Sequence, residues 1–266
     1  MELRAPAKVN LHLAVGTKRP DGYHRIISIF QTCSLCDVLN ATLEEGPFSV
    51  EVTGLEGICP QGRSTLDKAA LLWRSEFGLE GKLSVHVTKR IPSQAGLGGG
   101  SSDAASLILW LNEVTGTRLP KERLMEFGAK IGCDVPFFVS QSRAAIVGGA
   151  GEEVTPIRAR EDLEGWIIIP KAEKVSTAEA YGALDSRKEI PELESPQYLE
   201  EMYRKPLSQW AFRNDFDMVN TRPEIAVDQD RKLYLTGSGS CHILLSEGKK
   251  RRPDLPPQYE AVQVSL

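Results

Sequence analysis

Pro92-Ser93-Gln94-Ala95-Gly96-Leu97-Gly98-Gly99-Gly100-Ser101-Ser102-Asp103-Ala104-Ala105 is the stretch around which the rest of the chain is ordered. Before it, Leu83-Ser84-Val85-His86-Val87-Thr88-Lys89 alternates apolar and polar residues, the period of a half-buried strand. After it, residues 104–114 are rich in Ala and Leu and predict a helix. The order is strand, glycine loop, helix. Glycine at four of the five positions 96–100 costs conformational entropy and contributes no packing. What it permits is close approach of backbone N–H groups to a ligand. Ser101, Ser102 and Asp103 predict the N-cap of the helix. A helix start carries unpaired N–H groups and about half a positive charge, which suits a phosphate. The P-loop is excluded, because Ser101-Ser102 stand where Lys-Ser/Thr would follow the last glycine. The Rossmann fingerprint has Ser101 at its third glycine and no evident acidic partner. A plain glycine-rich hairpin or linker sits poorly with strand and helix signals so close on either side.

The whole chain sets broader bounds. Its 266 residues suffice for one large domain or two small ones, and 41% hydrophobic with 26% charged residues is an ordinary globular mixture. A net charge of −4 argues against general nucleic-acid binding, which needs a basic surface. The run Lys249-Lys250-Arg251-Arg252 reads as a solvated turn. No apolar run reaches the length of a membrane span, and residues 1–8 lack the apolar core of a signal peptide. The five cysteines are scattered and odd in number, which predicts a reducing, cytoplasmic setting. Cys33-Ser34-Leu35-Cys36 has no second pair to make a zinc site and reads as strand packing.

Working outward, residues 6–15 alternate as a strand. Ala7, Val9, Leu11 and Leu13 share one face; Lys8, Asn10 and His12 share the other, which taken alone reads as solvent-exposed. Arg19-Pro20-Asp21-Gly22-Tyr23-His24 is a turn leading into the strand-like residues 26–31. Residues 38–42 and 48–53 predict a hairpin around Glu44-Glu45-Gly46-Pro47. Ser64-Thr65-Leu66-Asp67 caps a helix. Residues 120–131 predict another, ending at Gly132 as C-cap. Asp134, between Cys133 and Val135-Pro136-Phe137-Phe138, reads by itself as a cap or turn residue. Strands are expected at 144–147, 165–170, 233–235 and 259–264. A helix capped by Ser176 or Thr177 and an irregular loop at 191–196 complete the pattern. A domain boundary is expected near Thr155-Pro156.

The glycine stretch, with its Gly-Leu-Gly-Gly-Gly-Ser-Ser-Asp-Ala-Ala core, resembles the central phosphate loop of the GHMP small-molecule kinases. Its triple glycine resembles the branch that acts on 4-diphosphocytidyl-2-C-methyl-D-erythritol. Other segments agree in order. Pro-Ala-Lys-Val-Asn-Leu (6–11) is similar to the first family signature. Asp-Gly-Tyr-His (21–24) is similar to an element specific to that branch. Gly-X-Asp-Val-Pro-Phe-Phe (132–138), Val-Ser-Thr (175–177), Asn-Asp-Phe (214–216) and Thr-Gly-Ser-Gly-Ser (236–240) follow.

The resemblance implies an α/β (α+β) chain of two domains. These would be an N-terminal ribosomal-protein-S5-like domain (1–155) and a C-terminal ferredoxin-like domain (156–266), with the site in the cleft between them and the last strand able to return to the N-terminal domain. It implies ATP-dependent phosphorylation of a 2-hydroxyl on a small cytidine diphosphate substrate. Pro92, Gln94, Ala95, Gly96, Leu97, Gly98, Gly99, Gly100, Ser101 and Ser102 would hold ATP. Mg2+ would bridge the phosphates and touch Ser102. Asp134 would take the hydroxyl proton and Lys8 would orient the hydroxyl. Asn10 would lie in the substrate pocket, Tyr23 and Tyr181 would sandwich cytosine, and His24 would read its edge. Two features depart from the family: Thr65 stands where an Asn precedes Leu66 beside the adenine pocket, and the chain beyond residue 217 is short and proline-rich. A kinase of the homoserine or mevalonate type, and a nucleotide-binding pseudokinase, stay open as alternatives.

Overall fold

The computed structural model describes residues 1–172, 176–187, 190–248 and 251–266; Val175, Lys249 and Lys250 of the segments above lie outside them. The chain begins with two long strands, β1 (Glu2–Lys18) and β2 (His24–Glu44), which pair with each other. Between them Pro20-Asp21-Gly22 turns the chain, with Gly22 at φ +89°. Cys33 and Cys36 are buried within β2, and Arg4 donates to Cys36 Sγ at 3.1 Å. The residues form two compact units. One comprises Met1–Ala7, Leu35–Ser93 and Gly98–Ser142; the other comprises Lys8–Ser34, Gln94–Leu97 and Arg143–Leu266.

In the first unit the C-terminal half of β2 pairs antiparallel with β4 (Lys82–Thr88), residues 38–44 against 82–88. β3 (Ser49–Thr53) pairs parallel with β4. The expected hairpin of residues 38–42 with 48–53 is therefore not formed, because β4 lies between the two strands. Helices α1 (Thr65–Phe77), α2 (Gly99–Val114), α3 (Lys121–Ala129) and α4 (Val135–Val139) complete this unit, with α2 packed on the other three. α1 starts as predicted, with Ser64 and Asp67 satisfying each other's backbone N–H groups in a capping box. Its Trp73 is fully buried and meets Phe77 and Phe127 at ring separations of 4.8 and 5.3 Å. α3 stops at Ala129, earlier than the predicted Gly132. The Gly132 N–H instead closes a turn on Gly128 O at 3.1 Å, and a Cβ on Gly128 would come within 2.9 Å of Val135.

In the second unit residues 28–31 of β2 pair antiparallel with residues 144–147 of β5 (Ala144–Gly148), and β6 (Glu153–Ile157) returns along β5. Thr155 and Pro156 lie inside β6. A separate antiparallel sheet has the order β10-β7-β9-β8, from β7 (Leu163–Pro170), β8 (Arg231–Leu235), β9 (His242–Glu247) and β10 (Tyr259–Ser265). β10 pairs with β7 from Tyr259–Pro170 to Ser265–Glu164. The last strand thus completes this sheet, and its Ser265 N–H also donates to Ser34 Oγ at 3.0 Å. α5 (Thr177–Asp185) starts at Ser176 in a second capping box, with Glu179. α6 (Pro196–Arg204) follows the irregular loop and was not expected; Ser195 caps it and Pro196 occupies its first turn. Leu13, Val15, Ile26, Ala180, Leu184, Phe216 and Leu235 form one core cluster, which fixes α5 against β1 and β2. Among the described residues, no helix is long and apolar enough to cross a membrane.

Candidate active site

The polar face of β1 is not solvent-exposed. Lys8, Asn10 and His12 are all buried, Lys8 with only 3% of its surface accessible. A buried ammonium is costly unless it is paired. The Lys8 Nζ donates to Asn10 Oδ1 at 2.5 Å and lies 4.4 Å from the centre of the Phe30 ring. Asn10 makes three further hydrogen bonds. Its Nδ2 donates to Ser28 Oγ at 2.9 Å, its Oδ1 also accepts from the Gly237 N–H at 2.9 Å, and its backbone N–H donates to Thr236 Oγ1 at 3.0 Å. His12 faces Glu194 at 3.2 Å. Burial keeps its imidazole below the usual histidine range, against the opposing charge of Glu194.

The upstream part of the glycine stretch belongs to the same constellation. The Lys8 N–H donates to Leu97 O at 3.0 Å, and Thr236 Oγ1 donates to Gly96 O at 3.2 Å. Gly96 has φ +73°, and a Cβ there would fall 2.0 Å from Thr236 O. Backbone meets backbone at this point, so only glycine fits. The turn after β8 is braced in its own right. Asn214 Nδ2 donates to Leu235 O and Gly237 O, both at 2.9 Å, and Asn220 Nδ2 donates to Ser238 O at 3.0 Å. Asn214 and Thr236 stood within quoted motifs but had no assigned role; Asn220 carried no signal.

The residues expected around a base come together in part. His24 stacks on Tyr181, with ring centroids 5.2 Å apart and 20° between planes, and Tyr181 meets Phe216 edge-on at 4.9 Å. His24 Nε2 is 2.7 Å from Asp185 Oδ1, and Lys18 Nζ donates to Asp185 Oδ2 at 3.0 Å. Tyr23 is 56% exposed, and its backbone N–H donates to Asp21 Oδ1. Here it is His24 that lies against Tyr181. The reason is local: His24 begins β2, whereas Tyr23 is still in the turn.

The downstream part of the stretch opens α2 in the first unit. The N-cap is Gly98, at φ +70°, and not one of Ser101, Ser102 and Asp103, which all lie inside the first turns. Left-handed φ at Gln94, Gly96 and Gly98 places the helix start earlier than hydroxyl chemistry suggested. Thr65, where the family has Asn, donates to Gly100 O at 2.6 Å. Ser102 Oγ is buried with no hydrogen-bond partner among the described residues. A hydroxyl in that state fits a cation or phosphate oxygen. No cluster of three His, Cys, Asp or Glu that could hold a metal exists among the described residues. Lys89, just after β4, lies between Asp37 and Asp103 (3.0 Å to the latter), and Asp37 Oδ1 accepts from the Arg90 and Ile91 N–H groups at 2.6 and 2.8 Å. Burial, with Asp37 adding to it, pushes the Asp103 carboxyl up to about 7 despite Lys89. Burial opposes the Lys89 charge, but the two carboxylates outweigh it and hold its pKa above the usual lysine value. Asp134 occupies the N-cap position of α4, half-buried, and makes no capping hydrogen bond there.

Comparison with known proteins shows the family. Residues 64–142 match the GHMP kinases N terminal domain. The 4-diphosphocytidyl-2-C-methyl-D-erythritol kinase of Geobacter sulfurreducens is 36% identical over 92% of this chain and 86% of its own. The enzyme of the same name from Protochlamydia amoebophila is 35% identical over 98% and 88%. The crystal structure of a 4-(cytidine 5'-diphospho)-2C-methyl-D-erythritol kinase superimposes with a TM-score of 0.73 at 27% identity, covering 100% of this chain and 99% of the other.

Proposed function

Because the chain belongs to the 4-diphosphocytidyl-2-C-methyl-D-erythritol kinase family, we propose that it transfers the terminal phosphoryl group of ATP to the 2-hydroxyl of that cytidine diphosphate substrate. Phosphoryl transfer asks a protein for position and charge stabilisation more than for covalent chemistry. Backbone N–H groups of residues 94–102 hold the ATP phosphates, aided by the start of α2. Asp134 accepts the hydroxyl proton. A carboxylate suffices as base because in a loose transition state the proton leaves late. Lys8, held by Asn10, orients the acceptor hydroxyl with a charge that its buried surroundings leave unscreened. Mg2+ carried with ATP would neutralise phosphate charge, and Ser102 is the residue that would reach it. Tyr181 and Tyr23 give the cytosine its aromatic faces, and His24 reads its edge.

Within the structure, one observation supports this reading most. Asn10 ties the buried Lys8 ammonium to Gly237, while Thr236 ties the same turn to Gly96. A lysine intended only for packing would not be buried and held in this way. The test is ADP release measured with the cytidyl substrate, homoserine and mevalonate side by side. Turnover with the cytidyl substrate alone is expected. Turnover with either of the others would replace this assignment by another kinase type. ATP binding without turnover of any of the three would mean a pseudokinase.

A further inference from the structure

We infer that Asp185 is a positioning residue that sets which nitrogen of His24 carries the proton and so makes the site prefer cytosine to uracil, an inference that rests on the cytidyl function proposed above. A carboxylate only accepts hydrogen bonds, so the 2.7 Å contact between Asp185 Oδ1 and His24 Nε2 requires the proton on Nε2. A neutral imidazole has a single N–H, which leaves Nδ1 as an acceptor. No hydrogen bond among the described residues engages Nδ1. The ring is also held in its plane: its side chain is 8% exposed, and it stacks on Tyr181 at 20°. The carboxylate is on the surface, its side chain 40% exposed, but the backbone that carries it is anchored. Asp185 is the last residue of α5, whose Ala180 and Leu184 are embedded in the core. Hydrogen bonds from Lys18 and His24 hold its carboxyl below the usual aspartate range, so it is ionised at neutral pH.

Cytosine and uracil have the same shape but opposite polarity along one edge: cytosine carries a 4-amine beside an N3 acceptor, uracil a 4-carbonyl beside an N3–H donor, and we place His24 Nδ1 opposite the 4-position. An Nδ1 acceptor pairs with the amine and faces the carbonyl lone pair to lone pair. A site built to pair a polar group rejects the analogue that leaves its own group unpaired. Without Asp185 the imidazole can move its proton to Nδ1 and serve either base. The bland alternative is that Asp185 only closes α5 through its ion pair with Lys18. In that case its loss would loosen the pocket for both nucleotides alike.

The experiment is an equilibrium titration of folded full-length protein with CDP and with UDP, run on wild type, Asp185→Ala, Asp185→Leu and Lys18→Ala. Thermal unfolding confirms the fold of each. The wild type is expected to favour CDP, and Asp185→Ala to lower the CDP-to-UDP affinity ratio by roughly tenfold or more. Asp185→Leu, which keeps the size but has no acceptor, covers the case in which the alanine variant fails to fold, and a lowered ratio in either folded variant supports the assignment. Lys18→Ala, which removes the ion pair and leaves the histidine contact, is expected to keep the ratio. A wild-type ratio retained in the folded Asp185 variants, or one lowered equally by Lys18→Ala, overturns the role of Asp185 while leaving the cytidyl function standing. Absence of CDP binding by the wild type overturns both.

Discussion

Gly96→Ala tests the joint between the glycine stretch and the turn after β8. The added Cβ would fall 2.0 Å from Thr236 O, 2.8 Å from Thr236 C and 3.2 Å from Gly237 Cα. All three neighbours are backbone, so no side chain can swing aside. The residue would also have to keep φ +73°, at about 1–3 kcal/mol for a non-glycine residue. Overpacking against a fixed wall adds about 1–3 kcal/mol. The midpoint of the sum is about 4 kcal/mol, which at about 3 °C per kcal/mol for a chain of this size lowers Tm by about 12 °C. The strain acts where Thr236 Oγ1 holds Gly96 O and where the Lys8 N–H holds Leu97 O, so ATP affinity should fall by at least about tenfold. Thermal unfolding and a nucleotide titration below the melting range measure both effects. Gly182→Ala is the control: in α5 its Cβ meets nothing within 4 Å, and alanine there should stabilise by up to about 1 kcal/mol. If Gly96→Ala melted within about 2 °C of wild type and bound ATP equally well, the proposed coupling of loop and turn would be wrong.

Other predictions follow from single residues. Asp134→Asn should nearly abolish turnover in the ADP-release assay while ATP affinity, read by titration, stays within a few-fold; retained turnover would remove Asp134 as the base. Tyr181→Ala takes away the aromatic face on which His24 now stacks, and CDP affinity should fall by roughly 5- to 150-fold in a binding titration. Asp103, whose carboxyl is raised to about 7 by burial, binds a proton more tightly folded than unfolded, so its contribution to stability is lost as pH rises from the ordinary carboxylate range to about 7. Asp103→Asn should flatten that fall in denaturant titrations at pH 4 to 8, and an unchanged slope would count against the buried Asp37–Lys89–Asp103 group.

What the sequence made legible was local. The capping boxes at Ser64 and Ser176 depend on residues three positions apart; the first cap formed as read, and of Ser176 and Thr177 it is Ser176 that caps α5. The two-residue period of β1 placed Lys8, Asn10 and His12 together correctly, but period alone cannot say whether a polar face meets water or protein. Deciding that needed the partners, and these lie far along the chain: Thr236 accepts from Asn10 across 226 positions and donates to Gly96 across 140. The same distance hid β4 between β2 and β3, since a turn signal at Gly46-Pro47 is equally consistent with a strand that leaves and returns on the far side of another. Asp37, fully buried within β2, carried no signal in the sequence, because its partners, Lys89 and the Arg90 and Ile91 N–H groups, lie more than fifty positions later. The misplaced cap of α2 has a different cause. Ser101, Ser102 and Asp103 are good capping residues, but Gly98 at positive φ starts the helix first and carries those side chains into its opening turns. A loop shaped for hydroxyl capping would have spent Ser102 on its own backbone. This one leaves the Ser102 hydroxyl buried and unengaged among the described residues, the arrangement expected where a bound phosphate or its cation completes the hydrogen bonding that the fold leaves open.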